Sequence, residues 1–412
     1  MPKDETRILF FCCAAHFLTH FYVLTFPALI MPISRDLGLP LSQVVSIGFT
    51  MYLLYGVLAV PWGYVSDRWG HKWAMALGVI TAGLGMAAAA VLNKPSLMAL
   101  AFTLIGIGCA AYHPSGMALI SQGIARRGRA LGINGIWGNA GIAAAPFAAG
   151  WLNYAFGWQK SLMVLGAMGV LLGIATFLFS APVMRGTDKI KLEPLENRTA
   201  RRLFLVFALG MVFSGFMYRS FTVILPSFLE FRLGSVTMFI KELLVSRFAR
   251  IEQRAGFDTL IANLVATSIY IIGILGQAIG GRVADRYSLK WAYLCYFCLA
   301  APFAVAMVFL DSALLILAGG LFVFFSLGMQ PVENSLVAFL TPARWRSMSY
   351  GIKFTLLFGV GSFAVNLVSF TESRYGLGQV MWLVCLFLAF VIVNTSVFLL
   401  VARGRKISHE SA

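Results

Sequence analysis

One stretch of eleven residues occurs twice in the chain, 218 positions apart. The first copy, 63–73, reads GYVSDRWGHKW, and the second, 281–291, reads GRVADRYSLKW. Gly, Val, Asp-Arg, Lys and Trp stand in register, and each copy lies between two apolar runs. An internal repeat with the same hydropathy around it marks two copies of one structural unit. The sequence therefore predicts two similar halves, each with an Asp-Arg pair in a short basic loop.

The composition indicates a chain that is folded within a membrane. Of its 412 residues, 59% are hydrophobic and 12% are charged, whereas soluble domains carry about 25% charged residues. Apolar runs of about 20 residues are long enough to cross a bilayer as helices. We predict an all-α polytopic membrane protein with twelve transmembrane helices in two pseudo-symmetric six-helix bundles. The predicted helices are 8–31, 42–64, 73–92, 96–123, 130–154, 160–182, 203–229, 259–281, 291–310, 313–340, 348–371 and 378–401.

The predicted domains are an N-terminal bundle at 1–182, a cytoplasmic linker at 183–202 and a C-terminal bundle at 203–412. An insert at about 230–258 is too polar to span a bilayer. Its apolar residues fall at helical spacing with basic residues between them, which predicts an amphipathic helix on the outer membrane surface. An insertion without a role is the alternative. The apolar residues are Val236, Phe239, Ile240, Leu243, Leu244, Phe248 and Ile251.

The net charge of +16 is interpreted as membrane topology. Most Lys and Arg residues fall in the termini and in alternate loops, a bias that predicts cytoplasmic termini, and no nucleic-acid partner is expected. No catalytic triad or phosphate-binding loop occurs, so we expect neither an enzyme nor a cofactor. The six cysteines lie in or beside apolar runs and form no disulfide framework. Cys295 and Cys298 lack further ligands for a metal.

With its repeated loops and six-plus-six layout, the chain resembles the major facilitator superfamily everywhere except in the insert. The resemblance implies a multi-pass protein, with the bacterial inner membrane as the expected location and a monomer as the expected state. It implies a secondary transporter whose halves rock about a site lined by helices 1, 4, 7 and 10. The repeated loops are then expected to gate this motion, the alternative being basic loops that only set topology. Gly63 is expected to allow close helix approach. The predicted gating residues are Gly63, Asp67, Arg68, Lys72, Gly281, Asp285, Arg286 and Lys290.

A narrower resemblance is to the fosmidomycin-resistance-like branch of that superfamily. It implies proton-coupled transport of a small organic anion or amphipathic compound, with export favoured over uptake. The chain differs from the branch at His20 and Ser115, where the branch carries acids, so the same proton route is not implied. The residues that carry this resemblance are His16, Phe17, Tyr112, His113, Pro114, Gly138, Asn139, Ala140, Gly141 and Pro146.

Ionisable residues inside apolar runs are costly in hydrocarbon and usually face a cavity. When helix 1 and helix 7 are aligned on Pro27 and Pro226, His20 falls on Arg219. Two such residues facing each other across a cavity suit a phosphate, phosphonate or carboxylate, which Arg binds through two hydrogen bonds. The alternative is that Arg219 pairs with Glu333 as a structural gate.

Glu333 is the one acid placed deep in a predicted helix, which makes it the leading candidate for a proton carrier. Pro114 in helix 4 and Pro331 in helix 10 occupy equivalent positions and predict a bend in each helix. His113 beside the first bend suits either a proton or an anion, or simple packing. Lys353 near the end of helix 11 is expected to extend to the cytoplasm. The predicted substrate-binding residues are His16, His20, His113, Asn139, Arg219 and Gln330, and the predicted proton-coupling residues are Glu333 and His113.

Two other functions stay open on the sequence. His16, His20 and His113 form a possible ligand set for a transition metal such as iron, because His16 and His20 lie four residues apart on one helix. No carboxylate in the same half supports that set, so no metal site is assigned. A non-transporting membrane scaffold or sensor is the second alternative, with the insert as its docking surface.

Overall fold

The apolar runs form helices throughout the part of the chain that the computed structural model describes, residues 2–179, 198–245, 256–341 and 346–403. The N-terminal half contains nine helices in the described residues: α1 (Lys3–Leu37), α2 (Leu41–Ile47), α3 (Phe49–Val57), α4 (Ala59–Trp69), α5 (His71–Val91), α6 (Pro95–Cys109), α7 (Tyr112–Gly123), α8 (Arg127–Phe156) and α9 (Trp158–Leu178).

The C-terminal half repeats this arrangement and carries a break in the second-last span. One span there consists of α16, a π-helical turn at Thr355–Gly359, a 3-10 turn at Val360–Phe363 and α17. A second 3-10 turn at Leu377–Gln379 precedes α18. The α-helices are α10 (Arg198–Arg232), α11 (Gly234–Val245), α12 (Phe257–Arg286), α13 (Leu289–Phe309), α14 (Leu314–Gly328), α15 (Gln330–Leu340), α16 (Arg346–Phe354), α17 (Ala364–Tyr375) and α18 (Val380–Val401).

By length and composition, ten helical segments in the described residues can cross a membrane. An eleventh is α2 to α4 taken together, which bends by 49°. The predicted helix 130–154 is present as the 30-residue α8, but its many glycines and alanines keep it outside that set. The predicted all-α polytopic fold is confirmed.

The structure describes only part of the predicted linker and of the predicted insert. Residues 183–197 of the predicted linker and residues 180–182 of the predicted helix 160–182 lie outside the described residues, and α10 begins at Arg198. In the insert, α11 covers Gly234–Val245 and exposes Met238, Phe239 and Leu243. Phe248 and Ile251 lie outside the described residues. Binding of α11 to a membrane surface stays a prediction.

Prolines break two spans where the sequence predicts bends, and this prediction is confirmed. A first break separates α6 from α7 just before Pro114, and a second separates α14 from α15 just before Pro331. Proline has no backbone N–H to donate to the preceding turn, and its ring clashes with the carbonyl four residues earlier. Each break therefore places the residues that follow, His113 and Glu333 among them, at the middle of the bundle.

The two halves pack tightly at one end of the molecule. This end, called here the closed end, contains the C-terminus of α1 and the N-terminus of α12. Ser369 donates to the Ser42 carbonyl at 2.9 Å, and Asn263 donates to the Ala28 carbonyl at 3.1 Å. Arg35 of the N-terminal half pairs with Glu230 of the C-terminal half. Thr259 also donates to Glu230 at 2.9 Å.

The opposite end carries the repeated loops and is called here the Asp-Arg end. Three glycines near it, Gly132 and Gly135 in α8 and Gly281 in α12, have no atom within 4 Å of an added Cβ. At the closed end, by contrast, a Cβ on Gly150 would lie 2.7 Å from the Asn263 Cβ. The halves therefore separate toward the Asp-Arg end.

Two adjacent glycines in α12 provide a test of this packing. A Cβ on Gly280 would collide with the Gly328 backbone of α14, whereas Gly281 has open space. Gly280→Ala should force the helices apart and cost about 1–3 kcal/mol of folding free energy. Gly281→Ala should be neutral or stabilising by up to about 1 kcal/mol, because alanine favours helix. Thermal midpoints of the two purified variants check this, and equal midpoints would contradict the close approach of α12 and α14.

Candidate functional site

A cavity of about 300 Å³ lies between the two halves, at the middle of the bundle. Residues of α1, α7 and α8 form its wall on one side, and residues of α10, α12, α14, α15 and α16 form the other. The wall is rich in aromatic rings, and its polar side chains are few. The aromatic residues are Tyr218, Phe221, Tyr270, Phe322, Phe354 and Phe358.

A buried ion pair forms part of the cavity wall. Lys353 Nζ lies 2.7 Å from Glu333 Oε1, and the two side chains are only 4% and 1% exposed. The Tyr293 hydroxyl donates to Glu333 Oε2 at 3.0 Å, and Lys353 donates to Asn334 Oδ1 at 2.5 Å. The partner of Glu333 is therefore Lys353 of α16, which the sequence analysis expects to extend to the cytoplasm.

Two expectations for these residues are wrong. Lys353 does not extend to the cytoplasm, because it lies in the last turn of α16, where Glu333 of α15 binds its ammonium group. Arg219 does not pair with Glu333, because Lys353 takes that place. The hydropathy of α16 and α10 carries no information about which charges meet.

Arg219 is buried without an ionic partner among the described residues. The side chain is 1% exposed, and none of its three guanidinium nitrogens has a hydrogen-bond partner. Its central carbon lies 3.7 Å from the centre of the Tyr52 ring, a cation–π contact between the two halves. The neighbouring Tyr218 lines the cavity, but Arg219 itself lies just outside the wall.

Three histidines of the N-terminal half meet at the cavity, where the sequence prediction placed them. His16 and His20 lie one turn apart in α1, with their Nε2 atoms 3.2 Å apart. His113 of α7 contacts both, with ring centres 5.3 and 5.4 Å away. His16 donates from Nδ1 to the Asn134 carbonyl at 2.8 Å, and His113 Nε2 lies 3.0 Å from the Tyr55 hydroxyl.

A chain of side-chain amides joins the halves across the cavity. Asn139 of α8 donates to Gln277 of α12, and Gln277 donates to Gln330 of α15 at 2.7 Å. Asn139 and Gln330, both predicted substrate ligands, therefore lie on the cavity wall and share a common neighbour. Gln277 was not predicted, since an amide in a long apolar helix gives no signal of its own.

The predicted gating residues lie at the Asp-Arg end, away from the cavity. Lys72 donates to the Phe179 carbonyl at 2.9 Å, and Arg68 donates to the Tyr64 hydroxyl at 3.2 Å. Lys290 lies 3.3 Å from the Ala402 carbonyl. Within the described ranges, the carboxylates of Asp67 and Asp285 form no ion pair.

The glycines of the repeated loops do not make close helix contacts. An added Cβ on Gly63 would lie 3.6 Å from the Pro114 Cβ, which is ordinary contact, and one on Gly281 would meet nothing within 4 Å. In this conformation an alanine would therefore fit at position 63, so the expectation that Gly63 is needed for close helix approach is wrong here. A gating role for Arg286 and the other loop residues stays a prediction.

Several residues of the site carried no recognisable signal in the sequence. Tyr52 of α3 contacts Arg219 of α10, and Tyr55 of α3 contacts His113 of α7, each across an interface between two helices. Tyr293 of α13 holds Glu333. Tyrosines are common in apolar helices, and only the fold shows which of them turn inward. Arg35 and Glu230 belong to different halves, and their pairing needs both.

The comparisons with known proteins agree with this architecture. The model of the family described as "Major Facilitator Superfamily" matches residues 9–246. A solved bacterial homologue of the human lysosomal transporter Spinster, in an inward-facing and occupied conformation, superposes with a TM-score of 0.75 at 14% identity, covering 98% of each chain. This family and this fold are those of membrane transporters, which are not enzymes.

Curated relatives include two named transporters and a drug-resistance protein. The probable L-galactonate transporter of Escherichia coli K12 is 23% identical over 62% of this chain and 56% of its own length. The 4-hydroxybenzoate transporter PcaK of Pseudomonas aeruginosa is 26% identical over 88% of this chain and 84% of its own. The fosmidomycin resistance protein of E. coli K12 is 23% identical over 86% and 84%.

Proposed function

We propose that this chain, which belongs to the Major Facilitator Superfamily, moves a small amphipathic organic anion across a membrane by alternating access, coupled to protons. It is an integral multi-pass membrane protein. The composition of the cavity supports the proposal best. Its walls are aromatic, the buried Lys353–Glu333 pair forms part of the wall, and Arg219 lies beside it without a hydrogen-bond partner among the described residues. We further propose a monomer in a bacterial inner membrane, with cytoplasmic termini and the Asp-Arg end facing the cytoplasm.

The size and walls of the cavity support a small ligand with an apolar body. A volume of about 300 Å³ lies at the lower end for small-molecule pockets. Rings such as Phe221, Phe322 and Phe354 offer stacking surfaces for an aromatic or aliphatic body. The amides of Asn139, Gln277 and Gln330 offer hydrogen bonds to hydroxyl or carbonyl groups.

The ion pair supports coupling between the anion and a proton. While Glu333 is ionised, its carboxylate occupies Lys353 and repels a substrate carboxylate. Protonation of Glu333 weakens that pair, so that the Lys353 ammonium group is left to bind the anion. Proton and anion then favour each other's binding and move together. Cotransport by this route supports uptake of the anion driven by a proton gradient. Export of the anion stays a prediction that rests on the resemblance alone.

Arg219 supports a change of anion access between conformations. Its guanidinium stacks on Tyr52 of the other half near the closed end. When the halves separate at that end, Tyr52 and Arg219 must move apart, because they belong to different rigid bodies. The guanidinium nitrogens, which have no hydrogen-bond partner among the described residues, are then presented to an entering anion. Arg219 thus acts in the alternate conformation and Lys353 in the present one.

Transport in proteoliposomes tests the proposed function. Labelled 4-hydroxybenzoate, galactonate and fosmidomycin are offered separately, with a pH gradient of one unit and the lumen alkaline. We expect at least one anion to accumulate about tenfold, the ratio that a one-unit gradient sustains for one proton per anion. An ionophore that collapses the gradient should abolish the accumulation.

The controls separate transport from leakage and set the direction. Empty liposomes give the leak rate, and Cys295→Ser, at an exposed position of α13, should behave as the unaltered protein. Accumulation only with an acidic lumen would indicate anion export by exchange with protons. If no anion of the panel crosses faster than in empty liposomes, the proposal fails and the scaffold or sensor hypothesis gains.

A further inference from the structure

Three imidazoles converge on one point of the cavity wall. One ligating nitrogen each from His16, His20 and His113 can be chosen so that all three lie within 4.8 Å of one another. A tetrahedral metal ion with bonds of about 2.0–2.1 Å requires its ligands to be roughly 3.3 Å apart. The Nε2 atoms of His16 and His20, at 3.2 Å, already meet that spacing, and a nitrogen of His113 lies within 4.8 Å of a nitrogen of each.

The hydrogen bonds of the rings fix which nitrogens can bind a metal. The Asn134 carbonyl can only accept, so His16 Nδ1 carries the proton and the lone pair of its Nε2 faces His20 Nε2, in a contact that a metal ion would replace. His113 has its Nε2 on the Tyr55 hydroxyl, while its Nδ1 is buried with no partner. A carbonyl or hydroxyl group on the far nitrogen is the usual support of a metal-binding histidine.

The charges around the cluster restrict the form in which a metal can bind. Within the described ranges, the cluster contains no carboxylate or thiolate. Two cationic groups lie at this cavity: the Lys353 ammonium group on its wall, and the buried Arg219 guanidinium beside it, whose nitrogens have no hydrogen-bond partner among the described residues. A bare divalent cation would be repelled by an uncompensated Arg219 in a medium of low dielectric constant. A metal that carries its own anionic ligand avoids this cost, because the free carboxylates of that ligand suit Lys353 in the present conformation and Arg219 in the alternate one.

We propose that His16, His20 and His113 bind a late first-row divalent metal ion, such as Zn²⁺, that enters as a complex with a carboxylate-bearing chelator. This inference rests on the proposed function and narrows its substrate class to a metal–anion complex. Imidazole nitrogens suit Zn²⁺, Ni²⁺ and Cu²⁺. The histidines hold the metal, the chelator fills its remaining positions, and the cationic side chains hold the free carboxylates.

Ligand-dependent thermal stability tests the proposal on tag-free purified protein. The probes are Zn²⁺ alone, citrate alone and an equimolar Zn²⁺–citrate mixture, titrated against the unfolding midpoint, which a ligand of the native state raises. We expect the mixture to act at a concentration at least tenfold lower than either component alone. His20→Gln and His113→Gln should each shift that concentration upward by tenfold or more.

A matched control is available in His71, a buried histidine outside the cluster that contacts Ser66 and Gln122. His71→Gln should keep the response to Zn²⁺–citrate. If His20→Gln or His113→Gln unfolds, the visible absorption of Co²⁺–citrate added to the unaltered protein supplies a second readout, because nitrogen ligation intensifies and shifts the Co²⁺ bands.

Three results would overturn the proposal. One is an equal Zn²⁺–citrate response in the unaltered protein and in the histidine variants. The second is tight binding of Zn²⁺ without citrate. The third is a Co²⁺ spectrum that the protein leaves unchanged. The proposed function can be tested separately. Anion transport that persists with EDTA and in His20→Gln would support the proposed transport function and contradict the proposed metal site.

Discussion

Replacing Glu333 by glutamine should uncouple anion transport from protons. Glutamine resembles the protonated carboxyl group, so Lys353 is permanently free to bind the anion. We expect exchange of anion for anion to continue at all pH values, while accumulation driven by a one-unit pH gradient falls from about tenfold to none. Counterflow and gradient-driven uptake in the same proteoliposomes separate the two processes. Uptake that still follows the gradient in Glu333→Gln would place the proton carrier elsewhere.

The same substitution should lower the stability of the substrate-free protein. Breaking a buried ion pair by removing one partner costs about 3–5 kcal/mol, because the other charge is left uncompensated. The matched control is the double variant Glu333→Gln with Lys353→Met, which removes both charges and should recover most of the loss in thermal midpoint. That double variant should not bind the anion, since no ammonium group is left in the cavity.

Replacing Arg219 by methionine should strongly weaken anion binding while raising the stability of the empty protein. The guanidinium is fully buried and none of its nitrogens has a partner among the described residues, so its removal relieves an uncompensated charge. Two charge-assisted hydrogen bonds to a carboxylate are worth about 3–6 kcal/mol in total. We therefore expect the affinity for the anion to fall by about 100-fold or more.

Two measurements on this variant distinguish a ligand from a structural residue. The thermal midpoint is measured without substrate, and anion affinity is measured by titration against the same signal. Arg219→Lys keeps the charge but loses the planar pair of donors, so it should bind the anion more weakly than the unaltered protein and more tightly than Arg219→Met. A midpoint that falls in Arg219→Met, with transport retained, would show that the contact with Tyr52 is structural.

The sequence located the ionisable groups well but paired them poorly. His16 and His20 were grouped from their helical spacing, and His113 joined them because the family resemblance implies that helices 1 and 4 line one cavity; all three lie together on the cavity wall. Glu333 was correctly identified as a deep acid, but its partner was not. Lys353 lies 20 positions further along the chain, on a separate helix, and no periodicity links the two residues.

Hydropathy and repeats thus determined the class of this protein. The length of each apolar run, the two Asp-Arg loops and the two prolines act locally, through the cost of exposing backbone groups to lipid and the missing N–H of proline. These properties need no knowledge of neighbouring helices. The all-α polytopic fold, the two halves and the bends therefore follow from the sequence.

Only the tertiary structure decided which charged groups meet. The rotation of α10 directs Arg219 to Tyr52 in the other half, and the packing of α15 against α16 brings Lys353 to Glu333. The same packing joins Arg35 to Glu230 at the closed end. Such contacts depend on how helices rotate and tilt against one another, and in lipid that is set by close packing of small residues and by interhelical polar contacts. Which charged groups pair in this protein, and how its cavity is reached, are consequently properties of the assembled helix bundle.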